Sequence, residues 1–465
     1  MQGKEAGSAA ARPRIAVIGT GIAGLSCAWR LRDLGHITLL EGAPRPGGHT
    51  NTVTVEEQGR ELPIDTGFIV FNKVTYPNLC GLFDELGVTA KPSEMSLSVQ
   101  HLPTGLEFNG MGLNKLFAQR RNIGNLRFLA LIAEIMRFFR VGRRWLRDES
   151  GGSLGDTGED AEEDLATFCR RHRFSSDFVE LYLIPMSSAV WSTEPGRVLD
   201  FPASTLLHFF HNHGFLGVTT HHPWFTVEGG SRSYLEKLLR VLGQPRLGDP
   251  VVSVTEEAGG ARVTTASGTG EHFDAVVLAA HADQSLAMLG DPSEAQRRLL
   301  SPFAYQRNET LLHTDASVMP RARRAWASWN FRVDAPKGGH TRATTHYWMN
   351  ALQGISREQN YFVSLNSTDL IDPSNVLYST TYDHPVFTLG AIRAQRELPS
   401  LNRAGPLFFC GSYFRYGFHE DACMSGFEAA KAVTRFFGIH RDQGEMKNDG
   451  SSLLEVGKCS GKDTE

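Results

Sequence analysis

The chain has 465 residues, 41% of them hydrophobic and 21% charged, with a formal net charge of −4. That length exceeds what a single hydrophobic core fills and suits two interleaved domains. The acidic balance excludes general nucleic-acid binding, which needs surplus Lys and Arg to displace phosphate counterions. The six cysteines are scattered with no Cys-x-x-Cys spacing, so neither a disulfide framework nor a zinc site is indicated.

In chain order, residues 1–12 are polar, lack the apolar core of a signal peptide, and are expected to be disordered, like the tail 444–465. No stretch approaches the roughly 18 uninterrupted apolar residues of a membrane span, so a cytoplasmic location is the expectation. Ile15–Ile18 reads as a short buried strand, Ile22–Leu34 as a helix and Ile37–Leu40 as a second strand. Between the first strand and the helix stands Gly19-Thr-Gly21-Ile22-Ala23-Gly24. Gly19 permits a tight turn, Gly21 lets the backbone approach a pyrophosphate, and Gly24 lets the helix pack closely on the sheet. The helix start, including Ile22 and Ala23, offers unpaired N–H groups and a positive dipole end to phosphate. Glu41 closes the second strand 22 residues after Gly19, where a carboxylate accepts ribose hydroxyls. Strand, glycine turn, helix, strand and terminal acid together make a dinucleotide-binding unit of the NAD(P) or FAD kind.

Next come Gly47-Gly48-His49 and Asp65-Thr66-Gly67-Phe68, the latter running on to Asn72 and Lys73. A long helix is predicted over Asn122–Arg147, with Leu126, Leu129, Ile132, Ile135, Met136 and Phe139 at helical spacing. Arg137, Arg140, Arg143, Arg144 and Arg147 fill its second half. It reads as a core-packed helix with a solvated basic face, or alternatively as a surface that meets an anionic membrane or lipid. Residues 151–164 form a Gly- and acid-rich loop. His208, His211, His213, His221 and His222 lie among aromatics without a cysteine partner, which favours helix-end and pocket roles over a metal site. Val227-Glu228-Gly229-Gly230 leads to Tyr234, and Val251–Val254 and Ala275–Ala279 read as strands of one buried sheet. Trp348 and Asn350 are placed in a further strand. Leu407–Cys410 is a strand followed by Gly411-Ser412, Tyr413, Tyr416 and a helix beginning near Asp421. Gly-x-Ser-x-Gly spacing occurs at residues 151–155, inside the Gly- and acid-rich loop rather than at a strand-to-helix turn, so nucleophilic hydrolysis has no support.

Taken in this order, the acid followed by Gly47-Gly48, the Asp65–Phe68 segment, Val227–Gly230 and Gly417–Gly426 resemble the flavin amine oxidases, phytoene desaturases and protoporphyrinogen oxidases. The resemblance covers roughly residues 14–437. It implies an α/β fold with a Rossmann-like FAD-binding domain of glutathione-reductase type, from residues 14–75, 225–285 and 400–440. An interleaved α+β substrate domain would come from 76–224 and 286–399. It implies FAD, with Gly47 and Gly48 beside the phosphates and ribityl chain, and Thr66, Gly67 and Phe68 near the flavin. The Val252 backbone would meet the adenine. The family usually has Arg where this chain has His49, and an acid where it has Ser412 after Gly411. The last helix would point its N-terminus, with Glu420, Asp421 and Ala422, at the flavin, where a positive end stabilises negative charge on the reduced cofactor. Gly48–Asn51, Asp65–Asn72, Tyr347–Asn350 and Ser412–Asp421 further resemble a subgroup of predicted NAD/FAD-binding proteins associated with cyclopropane-fatty-acid-synthase-like enzymes. That implies a lipid substrate, peripheral membrane contact and a lipid-modifying partner enzyme.

The expected function is an FAD-dependent oxidoreductase that moves a hydride from a hydrophobic small molecule, fatty-acyl or other lipid, to flavin N5. The alternatives are a redox-neutral double-bond isomerase and a non-catalytic flavoprotein that supports a lipid-modifying enzyme. His419 and Glu420 are the catalytic candidates, with a structural helix-end role as the alternative for His419. In amine oxidases a lysine commonly holds water near N5, but Lys73 does not align to it.

Overall fold

The computed structural model describes residues 12–151, 163–334 and 342–438. The terminal segments 1–11 and 444–465 and the acid-rich stretch 152–162 lie outside the described residues. Ile15–Ile18 is buried throughout, as a central strand covered on both faces must be. It runs parallel to His36–Glu41 on one side and to Ala275–Leu278 on the other. Arg246–Leu247 and Leu407–Phe409 add the two edges, giving five parallel strands drawn from three separate parts of the chain.

The first helix, Ile22–Leu31, lies against the last, His419–Phe436. Their approach is close because glycine sits at the crossing. A Cβ on Gly426 would fall 2.3 Å from the Ala23 carbonyl oxygen and 2.2 Å from Ser26 Oγ. Ser26 Oγ also donates to the Cys423 carbonyl at 3.2 Å, which ties the two helices through buried polar atoms.

Val251–Glu257 is not in the parallel sheet, contrary to the sequence expectation. It opens an antiparallel three-stranded meander with Gly260–Thr265 and Gly270–Phe273. The physical reason is visible in its burial: Val251 and Val254 face inward while Val252 and the Glu256–Glu257 end face water, the mark of a one-sided sheet. Ala275–Leu278, by contrast, is buried at every position.

A seven-stranded sheet combines strands of the two intervening segments. Its order is Val376–Val386, Ala304–His313, Phe362–Leu365, Ala343–Trp348, Trp329–Val333, Leu97–His101 and Leu106–Asn109. Trp348 ends one of these strands, whereas Asn350 belongs to the short helix Met349–Gln353, where its side chain braces the following loop.

The predicted long helix spans Leu126–Gly151 after a 3-10 turn at Arg120–Gly124. Its buried side matches the stripe read from the sequence only in part, at Phe139 and the core-packed Ile132 and Ile135. Phe128, Leu131, Phe138, Phe139 and Leu146 are buried, while Leu126, Leu129 and Met136 are 81%, 38% and 41% exposed. The helix carries more apolar residues than one face can bury, and the aromatics take the core because Phe138 meets Phe168, Phe174, Phe178 and Phe210 there. Among the described residues no helix is long and apolar enough to cross a membrane.

Candidate cofactor and active site

The glycine turn is held at the mouth of the parallel sheet. Gly19 N donates to the Leu40 carbonyl at 2.8 Å, and its φ of +102° suits glycine alone. A Cβ on Gly19 would also lie 2.7 Å from the Ala279 carbonyl oxygen, and one on Gly24 only 2.0 Å from that of Gly19. Gly21 differs: it precedes the first helix, and a Cβ added there meets no protein atom within 4 Å. Gly48, with φ +57°, faces it, its own Cβ position 3.4 Å from Gly21 Cα. Two bare backbones thus flank open space at a helix N-terminus, where the N–H groups of Ile22, Ala23 and Gly24 have no helical acceptor. That is a cradle for an anionic diphosphate.

Glu41 locks this turn. One carboxylate oxygen accepts from Thr20 N at 2.9 Å and Thr20 Oγ1 at 2.6 Å, the other from Ala43 N at 3.0 Å. Thr20 Oγ1 in turn accepts from Gly47 N at 3.1 Å, tying the Gly47-Gly48 segment to the turn. A ribose hydroxyl would therefore join an acceptor already holding protein donors. Glu41→Gln keeps the size and removes the charge. It is expected to weaken cofactor affinity roughly ten- to a hundredfold, since hydrogen bonds to a charged group are worth about 1.5–3 kcal/mol. Equilibrium dialysis measures this, and unchanged affinity would place the ribose contact elsewhere.

Val252, expected to meet the adenine, sits at a register shift between Val251 and Ser253 and is 52% exposed. Bulged residues keep backbone groups outside the ladder. Pro250 packs on Gly42, which brings this strand to the Glu41 end of the cradle.

Thr66, Gly67 and Phe68 run beside residues 49–51. Thr66 N donates to the Asn51 carbonyl and Phe68 N to that of His49, both at 2.9 Å. A Cβ on Gly67 would fall 2.2 Å from the His49 oxygen, so only glycine passes there. Asp65 anchors the crossing. Its buried carboxylate accepts from Thr52 Oγ1, Ser231 N, Ser231 Oγ and Gln353 Nε2, and burial still pushes its pKa up to about 6.

Gly411 lies near Ala280, and its N–H donates to Ser425 Oγ at 2.9 Å; Ser412 follows, half-buried. The last helix begins at His419. Asp421 is buried and accepts from Phe418 N at 2.9 Å, closing the first turn, and desolvation raises its pKa to about 7. Ala422 N bonds the Phe418 carbonyl. The free N–H groups of this helix are therefore those of residues 419–421, aimed away from its own carbonyls.

The two catalytic candidates are both engaged in holding the site. Glu420 is buried, and its carboxylate accepts from Asn78 N, Asn78 Nδ2 and Leu79 N at 3.0, 2.6 and 3.0 Å. It caps the start of the helix Pro77–Leu86. His419 stacks on Phe68 with ring centroids 3.9 Å apart, and its Nε2 lies 3.1 Å from the Tyr234 hydroxyl. Desolvation lowers its pKa to about 3, so it is neutral and a weak base. Lys73 is exposed over the Phe225 ring. Tyr413 is buried against Phe303, and the Tyr416 ring lies by Phe209. His213 stacks on Phe209 and reaches Thr75 Oγ1.

Around His49, Tyr382, His384, Asn308, Gln306 and Arg45 entered the site unannounced. His49 stacks on Tyr382 at 4.7 Å and meets His384 at 5.1 Å; burial, then His384 and His281, keep it neutral. Tyr382 reaches Asn51 Nδ2 and Thr66 Oγ1. His384 Nδ1 lies 2.8 Å from Asn308 Nδ2, and Asn308 and Gln306 both donate to the carbonyl of Ser192, whose φ is +52°. The fixed positive charge absent at His49 is available from Arg45, whose guanidinium spans the loop toward the Pro46 and Thr50 carbonyls at 3.4 and 3.5 Å. Only Arg45 had a readable signal, a cation inside the segment between Glu41 and Gly47. The others meet through strand register.

The family model for flavin containing amine oxidoreductase matches residues 22–310. A carotenoid phi-ring synthase from Chlorobaculum tepidum is 27% identical over 212 residues, 42% of this chain and 30% of that protein's length. Among solved structures, a CLA-producing fatty acid isomerase from P. acnes aligns with a TM-score of 0.64 at 17% identity, over 92% of this chain and 100% of that one. Cyclohexylamine oxidase from Brevibacterium oxydans aligns with a TM-score of 0.64 at 14% identity, over 91% and 99%. These structural likenesses speak for the fold.

Proposed function

Since the chain belongs to the flavin containing amine oxidoreductase family and is an FAD-dependent oxidoreductase, we propose that its substrate is an apolar chain, fatty-acyl or another lipid, that gives up a hydride. FAD, when bound, supplies the hydride acceptor. The cradle of Gly21, Gly48, Val252 and the two helix N-termini fits it, with Arg45 as counter-charge to the diphosphate. The N–H groups of residues 419–421 would hold the developing negative charge. Tyr382, His49, His384 and Asn308 form a neutral hydrogen-bonding wall that orients without holding a charge of its own.

One observation carries the lipid reading. The segment leading into the last helix is walled by aromatics: Trp191 Nε1 donates to the Tyr416 carbonyl, Phe209 stacks on Phe418 at 4.9 Å, and Phe387 closes over Gly417. The carboxylates beside it, Glu420 and Asp421, are taken by backbone and amide donors, so neither is offered to an ammonium group. The names of the carotenoid phi-ring synthase and the fatty acid isomerase point the same way.

Anaerobic mixing with fatty acids, carotenoids and amines tests this. Bleaching of the flavin by an apolar chain supports the reading, and bleaching by amines alone overturns it. Conversion of a lipid with no lasting bleaching would select the isomerase form. Glu420→Gln should lower thermal stability by an amount typical of a weakened cap, about 1 kcal/mol, with the rate per bound flavin unchanged. A rate loss of a hundredfold or more at full flavin occupancy would return Glu420 to the catalytic group.

A further inference from the structure

Residues 111–147 stand apart from the rest of the molecule in two ways. They contain nine cationic residues and one acid, Glu134, in a chain whose overall balance is negative. They also carry six large apolar side chains left in water: Met111 45%, Leu113 74%, Ile123 57%, Leu126 81%, Leu129 38% and Met136 41% exposed. Single exposed apolar residues are ordinary, but a run of them in one segment marks a contact surface. On the helix Leu126–Gly151 the two features are arranged in sequence. The exposed side of the first half holds Leu126, Leu129 and Met136; that of the second half holds Arg140, Arg143, Arg144 and Arg147.

Among the described residues these cations meet few carboxylates. Arg120, Arg121, Arg140 and Arg143 bond carbonyl or amide oxygens. Among the described residues Arg144 meets Asp148 at 3.7 Å, both side chains largely exposed. Among the described residues Lys115, Arg127 and Arg137 have close carboxylates, Glu94, Asp177 and Glu134. A cleft of about 320 Å³ lies beside the start of this helix, with Leu106, Phe128, Leu131 and Leu181 inside and Arg121 and Arg127 among its lining residues.

We propose that this face docks on the surface of an anionic lipid bilayer. Apolar side chains beside arginines match the layered chemistry of a membrane interface, with acyl chains below and phosphates above. Arginine stems lie along the apolar layer while their heads stay with the phosphates. A second copy of the chain fits less well, because a two-fold contact sets this patch against itself and brings like charges together. The placement is independent of which lipid, if any, is oxidised.

Sedimentation of the full-length, FAD-loaded protein with phosphatidylcholine vesicles, with and without phosphatidylglycerol, tests the proposal. The protein should pellet with the anionic vesicles and stay in solution with the neutral ones. Replacing Arg140, Arg144 and Arg147 together by Ser should weaken partitioning roughly hundredfold. Leu113→Ser with Leu126→Ser should weaken it roughly tenfold or more and remove the part that resists salt. All five positions are exposed, so an unchanged flavin spectrum verifies folding. The proposal is overturned if the protein ignores both vesicle types or if neither set of substitutions alters binding. A concentration-dependent dimer that the leucine changes disperse would overturn it too, by giving the surface to a second copy.

Discussion

Gly21→Val should yield a folded but colourless protein. Most substitutions in a glycine turn damage the fold, and Gly19 and Gly24 would do so here, since a Cβ at either runs into backbone at 2.7 or 2.0 Å. Gly21 is the exception, because nothing in the protein lies within 4 Å of the added carbon and its φ is −64°. The valine would instead fill the gap facing Gly48, where the diphosphate must lie. FAD affinity is expected to fall by more than about a hundredfold, the range set by losing several charge-assisted hydrogen bonds. Far-UV circular dichroism of the apoprotein should match the unsubstituted apoprotein. Full retention of FAD would remove the cradle from this turn, and a collapsed fold would show that Gly21 serves packing.

Mild acid is expected to unfold the protein, and steeply. Six imidazoles are held neutral by burial: His213, His313 and His384 are brought down to about 4, His419 to about 3, and His49 and His346 lie well below the usual value. Ser364 Oγ bridges His313 Nε2 and His346 Nδ1, each at 2.7 Å, so two imidazolium rings would repel across one oxygen, and His313 Nδ1 would lose the bond it accepts from Asp315 N. A histidine whose folded pKa is lowered stabilises the fold above about 6.5, and that contribution is lost as pH falls toward its folded value. Between pH 7 and 5 each loses about 2 kcal/mol. Buried acids act in the opposite direction. Asp65 at about 6 and Asp421 at about 7 bind protons more tightly when folded, so over the same interval each returns some stability. Glu420, also raised by burial, adds to them, and the six imidazoles against three acids leave a net loss of several kcal/mol, a large part of a typical domain's total of about 5–15 kcal/mol. Urea titrations at pH 7, 6 and 5 measure it. Stability that is flat or rises toward pH 5 would mean the imidazoles are hydrated in the native state.

The dinucleotide unit was legible because each of its parts is local. Ile15–Ile18, the Gly19–Gly24 turn, the helix from Ile22 and Glu41 all lie within 30 residues, and their periodicity and turn chemistry determine one another. What escaped depends on strands that meet across long separations. His384 faces Asn308 because Gln306 and Asn308 pair with His384 and Tyr382 in antiparallel register, and no local pattern announces that. Val251–Val254 was assigned to the wrong sheet because a short apolar run does not say which neighbours it will find. Glu420 bonds the start of the Pro77–Leu86 helix, more than 300 residues away, a contact that no local pattern announces. In the long arginine-bearing helix, spacing alone could not decide which of two apolar stripes the aromatics of Phe168–Phe178 would claim.

The bond from Ser26 Oγ to the Cys423 carbonyl joins residues 397 apart in sequence. At a ribosomal rate of roughly 5–20 residues per second, the first helix waits roughly 20–80 seconds for the helix it packs against. Through that interval Ala23, Ser26 and Cys27, buried in the finished molecule, have no partner, and the Leu407–Phe409 edge of the sheet is missing. A nascent chain stalled before residue 400 should therefore be a client of chaperones, and should acquire FAD only on release.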